Sequence, residues 1–188
     1  TAALTASNEL ISWSSPGRES YQVNTTLPPG FVIKYVFASF GSWVVLSTSG
    51  DVRCSGNAEW GNNCTSGDGS NPSNVKSIYS TRSAWAALHF DRTVTSWGLP
   101  CPFGNPQEQG DIEVPTGLEN VTYMVSNECS FCALTTNHTI EAFGRPNYGG
   151  EIPDYVPLRN IALITSTRNC FAALTFEAEA FLWGLGQA

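Results

Sequence analysis

Short apolar segments recur along the chain at a nearly constant spacing. Each segment ends in Ala-Leu or Val-Leu, and the closing leucines are Leu4, Leu46, Leu88, Leu134 and Leu174. Successive leucines are 42, 42, 46 and 40 residues apart. Nine residues after the leucine, four of the five copies carry an aromatic residue, namely Trp13, Trp97, Phe143 and Trp183, while the second copy carries Ser55. A fixed period of this length is typical of a repeat architecture.

Each repeat predicts three short strands. In the third copy these are an alternating segment at 74–79, a more apolar segment at 84–88 and a third segment at 93–97. Polar pairs between the second and third strands predict tight turns at Ser7-Asn8, Ser49-Gly50, Asp91-Arg92, Asn137-His138 and Glu177-Ala178. Ser49-Gly50 fits a two-residue hairpin turn, whereas Glu177-Ala178 lacks turn chemistry and predicts a looser connection.

A three-stranded antiparallel unit of this size cannot bury both of its faces alone, so neighbouring units are expected to stack. The sequence therefore predicts an all-β protein, a β-propeller or a portion of one, built from about five antiparallel units of roughly 42 residues. Trp13, Trp97, Phe143 and Trp183 are predicted to fill the spaces between these blades rather than to stack on a ligand.

We expect one repeat domain over residues 1–188, with units at about 1–30, 31–72, 73–118, 119–158 and 159–188. The first copy has no counterpart of the strand at 74–79, and the last copy stops soon after Trp183-Gly184. The chain is therefore expected to be part of a longer protein.

Charge and cysteine content narrow the class of protein. The net charge is −7 and only 13% of residues are charged, which argues against a nucleic-acid partner. No apolar run is long enough to predict a membrane span. Six cysteines and four Asn-X-Ser/Thr sequons, at Asn24, Asn63, Asn120 and Asn137, favour a secreted or cell-surface glycoprotein. A cytosolic repeat protein with free thiols is the alternative.

Disulfides are the simplest account of the cysteines. Cys54 and Cys64 flank a short loop and predict a local bridge. In the repeat register Cys129 aligns with Asn169, next to Cys170, which predicts a bridge between Cys129 and Cys170 on neighbouring blades. Cys101 with Cys132 would complete the set, although other pairings stay open.

Catalytic and metal-binding patterns are not found in the sequence. His89 and His138 fall at turn-side positions of different repeats and do not form a pair. Cys129 and Cys132 have the spacing of a zinc or redox motif, but no second pair with that spacing exists. We therefore predict no enzymatic activity, no metal and no cofactor.

The order Ala-Leu, polar turn, Val, Trp-Gly and Gly-rich loop resembles the regulator-of-chromosome-condensation repeat, a β-propeller family. The segments that carry the resemblance are Ser83–Leu88 through Trp97-Gly98, and Phe131 through Gly150. It is most similar to divergent members found in microbial and protist surface proteins. The resemblance implies a propeller, which in better-known members has about seven blades, but not one activity. The absent middle-strand histidine, Ser55 and the acidic composition depart from the chromatin-associated members.

These features favour a non-catalytic secreted or cell-surface glycoprotein module. It would serve as a structural or adhesive element that packs against other protein modules or copies of itself, with N-linked glycans attached. One alternative is a carbohydrate- or ligand-binding propeller of the lectin type. A further alternative is an intracellular regulatory propeller.

Overall fold

The computed structural model describes residues 2–4, 10–12, 27–57, 60–61, 63–65, 71–102 and 112–184. The first two strands, β1 (Ala2–Leu4) and β2 (Leu10–Ser12), form an antiparallel pair in which Ala3 lies opposite Ile11. Trp13, Asn24 and the predicted turn at Ser7-Asn8 lie outside the described residues.

Four three-stranded antiparallel sheets follow, each in simple up-and-down order. We call them blades 2 to 5, after the repeat copy that forms each one. Blade 2 contains β3 (Ile33–Ala38), β4 (Ser42–Ser47) and β5 (Val52–Gly56). Blade 3 contains β6 (Val75–Ser80), β7 (Ala84–His89) and β8 (Val94–Gly98). Blade 4 contains β9 (Val121–Ser126), β10 (Ser130–Thr135) and β11 (Ile140–Gly144), and a short 3₁₀ helix follows at Pro146–Tyr148. Blade 5 contains β12 (Ile161–Ser166), β13 (Cys170–Thr175) and β14 (Ala180–Gly184).

Successive blades stack face to face, which confirms the predicted fold class. The first strands of neighbouring blades lie side by side, with β6 next to β9 and β9 next to β12. The third strand of each blade is therefore at the outer edge. The middle strands of blades 3 and 4 are buried along their whole length, which explains why their sequences are apolar on both faces.

Three apolar cores fill the spaces between blades. Trp97 packs with Val44, Leu46 and Val52 of blade 2. Phe143 and Phe131 of blade 4 pack against blade 3, where they meet Ala84, Ala86 and Leu88. Trp183 and Phe171 pack against Cys132, Leu134 and Ile140 of blade 4. The aromatic residue of the third strand thus faces the preceding blade in blades 3, 4 and 5.

The hairpin turns differ from the sequence prediction in one respect. A two-residue type I′ turn needs positive φ at both central residues. In the four predicted pairs that lie in the described residues, only the second residue has positive φ: Gly50, Arg92, His138 and Ala178. The amide of this residue donates to the carbonyl three residues earlier, as in Arg92 N to His89 O at 3.0 Å and Ala178 N to Thr175 O at 3.1 Å. The expectation of a looser connection at Glu177-Ala178 was wrong, because the repeated backbone imposes the same turn there.

Backbone hydrogen bonds join the blades at both ends. At the hairpin end, the left-handed turn residue accepts a hydrogen bond from the first residue of the next blade, as in Val121 N to Arg92 O and Ile161 N to His138 O, both at 3.0 Å. At the opposite end, the loops between the first and second strands are linked by Arg82 N to Glu128 O and by Glu128 N to Arg168 O, both at 2.9 Å. The loops thus hold a fixed position relative to their neighbours.

Candidate functional site

Four residues at one repeat position form a continuous row across blades 2 to 5. They are Phe40, Arg82, Glu128 and Arg168, one from each loop between the first and second strands. We call this row the loop ladder. Because each loop leaves its blade at the same height, residues one repeat apart become neighbours in space.

Ion pairs and a cation–π contact connect the loop ladder. Glu128 Oε1 accepts from Arg82 Nη1 at 3.0 Å. Its two oxygens also accept from Arg168 Nε and Nη2, both at 3.1 Å. On the other side, the Arg82 guanidinium carbon lies 4.1 Å from the centroid of the Phe40 ring. Phe40 in turn packs on Trp60, with 4.8 Å between ring centroids.

The electrostatics of the loop ladder favour the ionised carboxylate. The hydrogen bonds from Arg168, and to a lesser extent those from Arg82, lower the pKa of Glu128 against the opposing effect of its partial burial. The hydrogen bond to Glu128 also raises the pKa of Arg168. Within the ladder, exposed Phe40 lies against Arg82, and it also contacts Trp60 from outside the ladder. Aromatic and arginine side chains are typical of surfaces that contact other proteins.

The loop ladder was not predicted from the sequence. Its members differ in chemical type, so a search for identical residues passes over them. The signal that could have found it is their spacing of 42, 46 and 40 residues, which is the spacing of the leucines. Opposite charges at successive copies of one repeat position would then have predicted ion pairs between blades.

Three of the four sequon asparagines lie in the described residues, and all three are exposed. Asn137 is in the hairpin loop of blade 4. Asn120 precedes β9 with a φ of 58°. Asn63 is in the loop after blade 2, where its Oδ1 accepts from Thr65 N at 3.3 Å and from Thr65 Oγ1 at 3.1 Å.

Two disulfides are present. One joins Cys54 to Cys64, which is the pairing expected from the sequence. The other joins Cys101 to Cys129, so the predicted pairings of Cys129 with Cys170 and of Cys101 with Cys132 were wrong.

The position of Cys101 explains the error. Cys101 lies three residues after the end of β8, beside the loop that precedes β10. Its Cα is 5.0 Å from the Cα of Cys129 in that loop. Cys132 instead faces the core between blades 4 and 5, away from Cys101. Aligning the repeats predicts the positions of strand residues. It predicts no position for Cys101, because the loop after the third strand differs between copies.

A groove of about 480 Å³ lies beside the third strand of blade 3. Trp97, Leu99 and Ile112 contribute apolar surface, and Asn63 and Thr65 line the same groove. Trp97 is buried, and within the described part of the chain its indole Nε1 has no hydrogen-bond acceptor.

The residues considered for catalysis have structural contacts. His89 is buried, and its ring nitrogens lie 2.8 Å from Ser73 O and 2.9 Å from Thr95 Oγ1. His138 Nδ1 lies 3.2 Å from Ile161 O, at the boundary between blades 4 and 5. Burial raises the pKa of Cys132, which disfavours the reactive thiolate. Among the described residues, no group of three or more His, Cys, Asp or Glu side chains could hold a metal ion.

Comparison with solved structures supports the fold. The chain is similar to the ectodomain of the Physcomitrella patens receptor kinase CR4, with a TM-score of 0.61 and 19% identity over 97% of this chain and 49% of that one. It is also similar to yeast RCC1 (Prp20), solved bound to Kap60, with a TM-score of 0.56 and 17% identity over 85% and 45% of the two chains. The CRINKLY WD40 ectodomain of Arabidopsis thaliana ACR4 gives a TM-score of 0.54 and 14% identity over 84% and 52%.

These similarities show the β-propeller fold, and the match to RCC1 confirms the resemblance to regulator-of-chromosome-condensation repeats at the level of fold. The chain spans about half the length of each of these three structures. No protein-family model and no curated protein matches the chain. No helix in the described ranges is long and apolar enough to cross a membrane.

Proposed function

We propose that the chain is a non-catalytic module of a secreted or cell-surface glycoprotein, serving as a structural or adhesive element in contacts between proteins. The observation that carries the proposal is the combination of two disulfides with exposed sequon asparagines on a repeated scaffold. Disulfides form and persist in oxidising compartments, and N-glycans need an exposed acceptor.

One face of blade 5 supports a role in packing against other modules. Leu163, Leu174 and Leu182 are 50%, 37% and 50% exposed. They share a face, because Leu163 lies opposite Leu174 and Leu182 lies opposite Ala172 in the sheet. In blade 4 the equivalent of Leu174 is Leu134, which is 7% exposed because blade 5 covers it.

This comparison within the molecule indicates what would cover the leucine face. The surface that covers blade 4 is a neighbouring repeat of the same kind, with Ile161 and Ile164 pointing inward from its first strand. A repeat unit on a copy of this chain, or on a neighbouring module, would bury the leucine face of blade 5 in the same way.

Sedimentation velocity over a range of concentrations tests this contact. We expect the wild-type chain to self-associate and the Leu174→Glu variant to sediment as a monomer, because a carboxylate would be buried in the interface. Leu158→Glu, at an exposed leucine in the loop before blade 5, is the matched control and should associate like the wild type. Equal association of the two variants would contradict the contact.

Secretion and intact mass test the compartment. The chain expressed through a secretory pathway should carry N-glycans, lose the added mass on enzymatic deglycosylation, and contain the two disulfides. A secreted product of unmodified mass with six reactive thiols would overturn the glycoprotein proposal.

A carbohydrate-binding module is the second candidate, and the groove beside Trp97 favours it. Its volume of about 480 Å³ lies in the range of small-ligand sites, about 300–1,000 Å³, and its lining combines the apolar side chains of Leu99 and Ile112 with the polar side chains of Asn63 and Thr65. The enzymatically deglycosylated protein should then give a signal on a glycan array. Silence on the array would reject this candidate.

A further inference from the structure

Two of the sequon asparagines share one corner of blade 4. Asn120 directly precedes β9, and Asn137 lies in the hairpin turn between β10 and β11. Both residues are exposed, and both line a polar groove of about 240 Å³. The carbonyl of Asn120 accepts a hydrogen bond from Thr136 N at 2.8 Å, so the residue next to Asn137 is held directly against Asn120.

The same corner of blade 5 shows how close the two side chains come. It is formed there by Asn160 and Glu177, each 40 residues after its counterpart in blade 4. The backbone is the same, because Asn160 has a φ of 65° and its carbonyl accepts from Phe176 N at 3.2 Å. In this setting Asn160 Nδ2 donates to Glu177 Oε1 at 2.6 Å. The repeated backbone therefore brings the two side chains of this corner within hydrogen-bond reach of each other.

A glycan enlarges an asparagine at its amide nitrogen. In N-glycosylation Nδ2 loses one proton and bonds to the anomeric carbon of the sugar, and the lipid diphosphate of the lipid-linked donor leaves. Non-bonded carbon atoms pack at about 3.5–4.0 Å, so two sugars on nitrogens within hydrogen-bond reach would clash. Asn120 has little freedom to avoid the clash, because its φ of 58° and the fully buried Val121 fix the direction in which its side chain leaves the backbone.

Folding also occupies the hydroxyl groups of both sequon threonines. Thr122 Oγ1 donates to Leu134 O at 2.9 Å, and Thr139 Oγ1 is hydrogen-bonded to Thr135 Oγ1 at 2.7 Å. These hydroxyl groups belong to the two acceptor motifs. A chain that folds with one glycan at this corner therefore keeps its second asparagine unmodified, because the second motif is then bound within the blade.

We propose that Asn120 and Asn137 are alternative acceptors, so that the corner of blade 4 carries one N-glycan and not two. A chain that receives both glycans before it folds has to accommodate two sugars in one corner, and it is depleted from the folded, secreted protein. This inference rests on the proposed function, because it requires the chain to be N-glycosylated.

Glycan counting on one tryptic peptide tests the inference. The sequence has no lysine or arginine between residues 93 and 144, so trypsin leaves Asn120 and Asn137 on the same peptide after reduction. The mass of this peptide from the secreted protein gives the number of glycans on each molecule, and fragmentation assigns them to a residue. We expect the doubly glycosylated peptide to be about tenfold rarer than the product of the occupancies at the two sites, as for one moderate steric conflict.

Removing one acceptor should transfer glycosylation to the other. Asn137→Gln should raise the occupancy at Asn120, and Asn120→Gln should raise the occupancy at Asn137. Asn63 is the control, because it lies in the loop after blade 2 and its occupancy should be the same in all three proteins.

Several outcomes would overturn the inference alone. They are a doubly glycosylated peptide as abundant as independent sites predict, no rise at the remaining site in either variant, and glycosylation at Asn63 with none at Asn120 or Asn137. A secreted protein without a glycan at any sequon would overturn this inference and the glycoprotein proposal together.

Discussion

Replacing Glu128 with Gln removes the charge at the centre of the loop ladder while keeping the size of the side chain. Glu128 is 12% exposed and receives hydrogen bonds from two arginines on two different blades. The Arg168 side chain is 76% exposed, so solvent screens its pair with Glu128 and the pair contributes little to stability. The Arg82 pair is more buried, and we assign it about 1 kcal/mol. The free energy of unfolding should therefore fall by about 1–2 kcal/mol at neutral pH.

The pH dependence of this difference has a defined sign. The pKa of Glu128 is lowered from its ordinary value of 4.5 in the folded state. A group with a depressed folded pKa stabilises the fold above its unfolded pKa, and this contribution is lost as the pH falls through the folded value. The difference between wild type and Glu128→Gln should thus be full near neutral pH and shrink progressively below the ordinary glutamate pKa.

Urea unfolding followed by tryptophan fluorescence measures both effects. Arg168→Ala is the internal control, because it removes only the solvent-screened pair and should lower the free energy of unfolding by clearly less than Glu128→Gln does. Equal stability of wild type and Glu128→Gln at neutral pH would refute the reasoning. A difference that persists unchanged in acid would also refute it, because the loss would then not come from the charge.

Three further perturbations test the fold. Phe131→Ala should lower the free energy of unfolding by about 3–5 kcal/mol in the same urea assay, because Phe131 is fully buried and stacks on Phe143; a loss below about 1 kcal/mol would contradict its place in the core. Ala178→Gly should raise it by about 0.5–1 kcal/mol, because Ala178 has a φ of 64° that glycine adopts without strain; a loss of stability would contradict the left-handed turn. Replacing Cys54 and Cys64 together with Ser should lower the melting temperature by an amount equivalent to about 2–3 kcal/mol, and an unchanged melting temperature under oxidising conditions would show that the bridge is absent.

The strand positions could be predicted because the repeat itself carries them. The predicted middle strand at 84–88 corresponds to β7 at Ala84–His89, and the predicted third strand at 93–97 corresponds to β8 at Val94–Gly98. A single short apolar segment could be a strand or part of a helix. Five copies aligned on one leucine show the same pattern, and this identifies the segments as strands of a repeat. The positive φ of Asn74, Asn120 and Asn160 also leaves a sequence signal, since asparagine tolerates this conformation and recurs before the first strand of blades 3, 4 and 5.

The disulfides and the groove could not be predicted in the same way. Cys101 follows β8 in a loop whose length and composition have no counterpart in the other copies, so the repeat register does not place it next to Cys129. The groove is lined by residues of the loops that follow blades 2 and 3, such as Asn63 and Leu99, and these loops differ in length and composition between copies.

The most direct test of the central claim is a disulfide map of the secreted protein, obtained by proteolysis without reduction and mass spectrometry. We expect two linked peptide pairs, Cys54 with Cys64 and Cys101 with Cys129. The second disulfide connects the loop after blade 3 to the loop before the middle strand of blade 4. We also expect that Cys132, buried between blades 4 and 5, reacts with an alkylating agent only after denaturation. Linkage of Cys129 to Cys170, or six reactive thiols in the folded protein, would contradict the stacked, oxidised propeller described above.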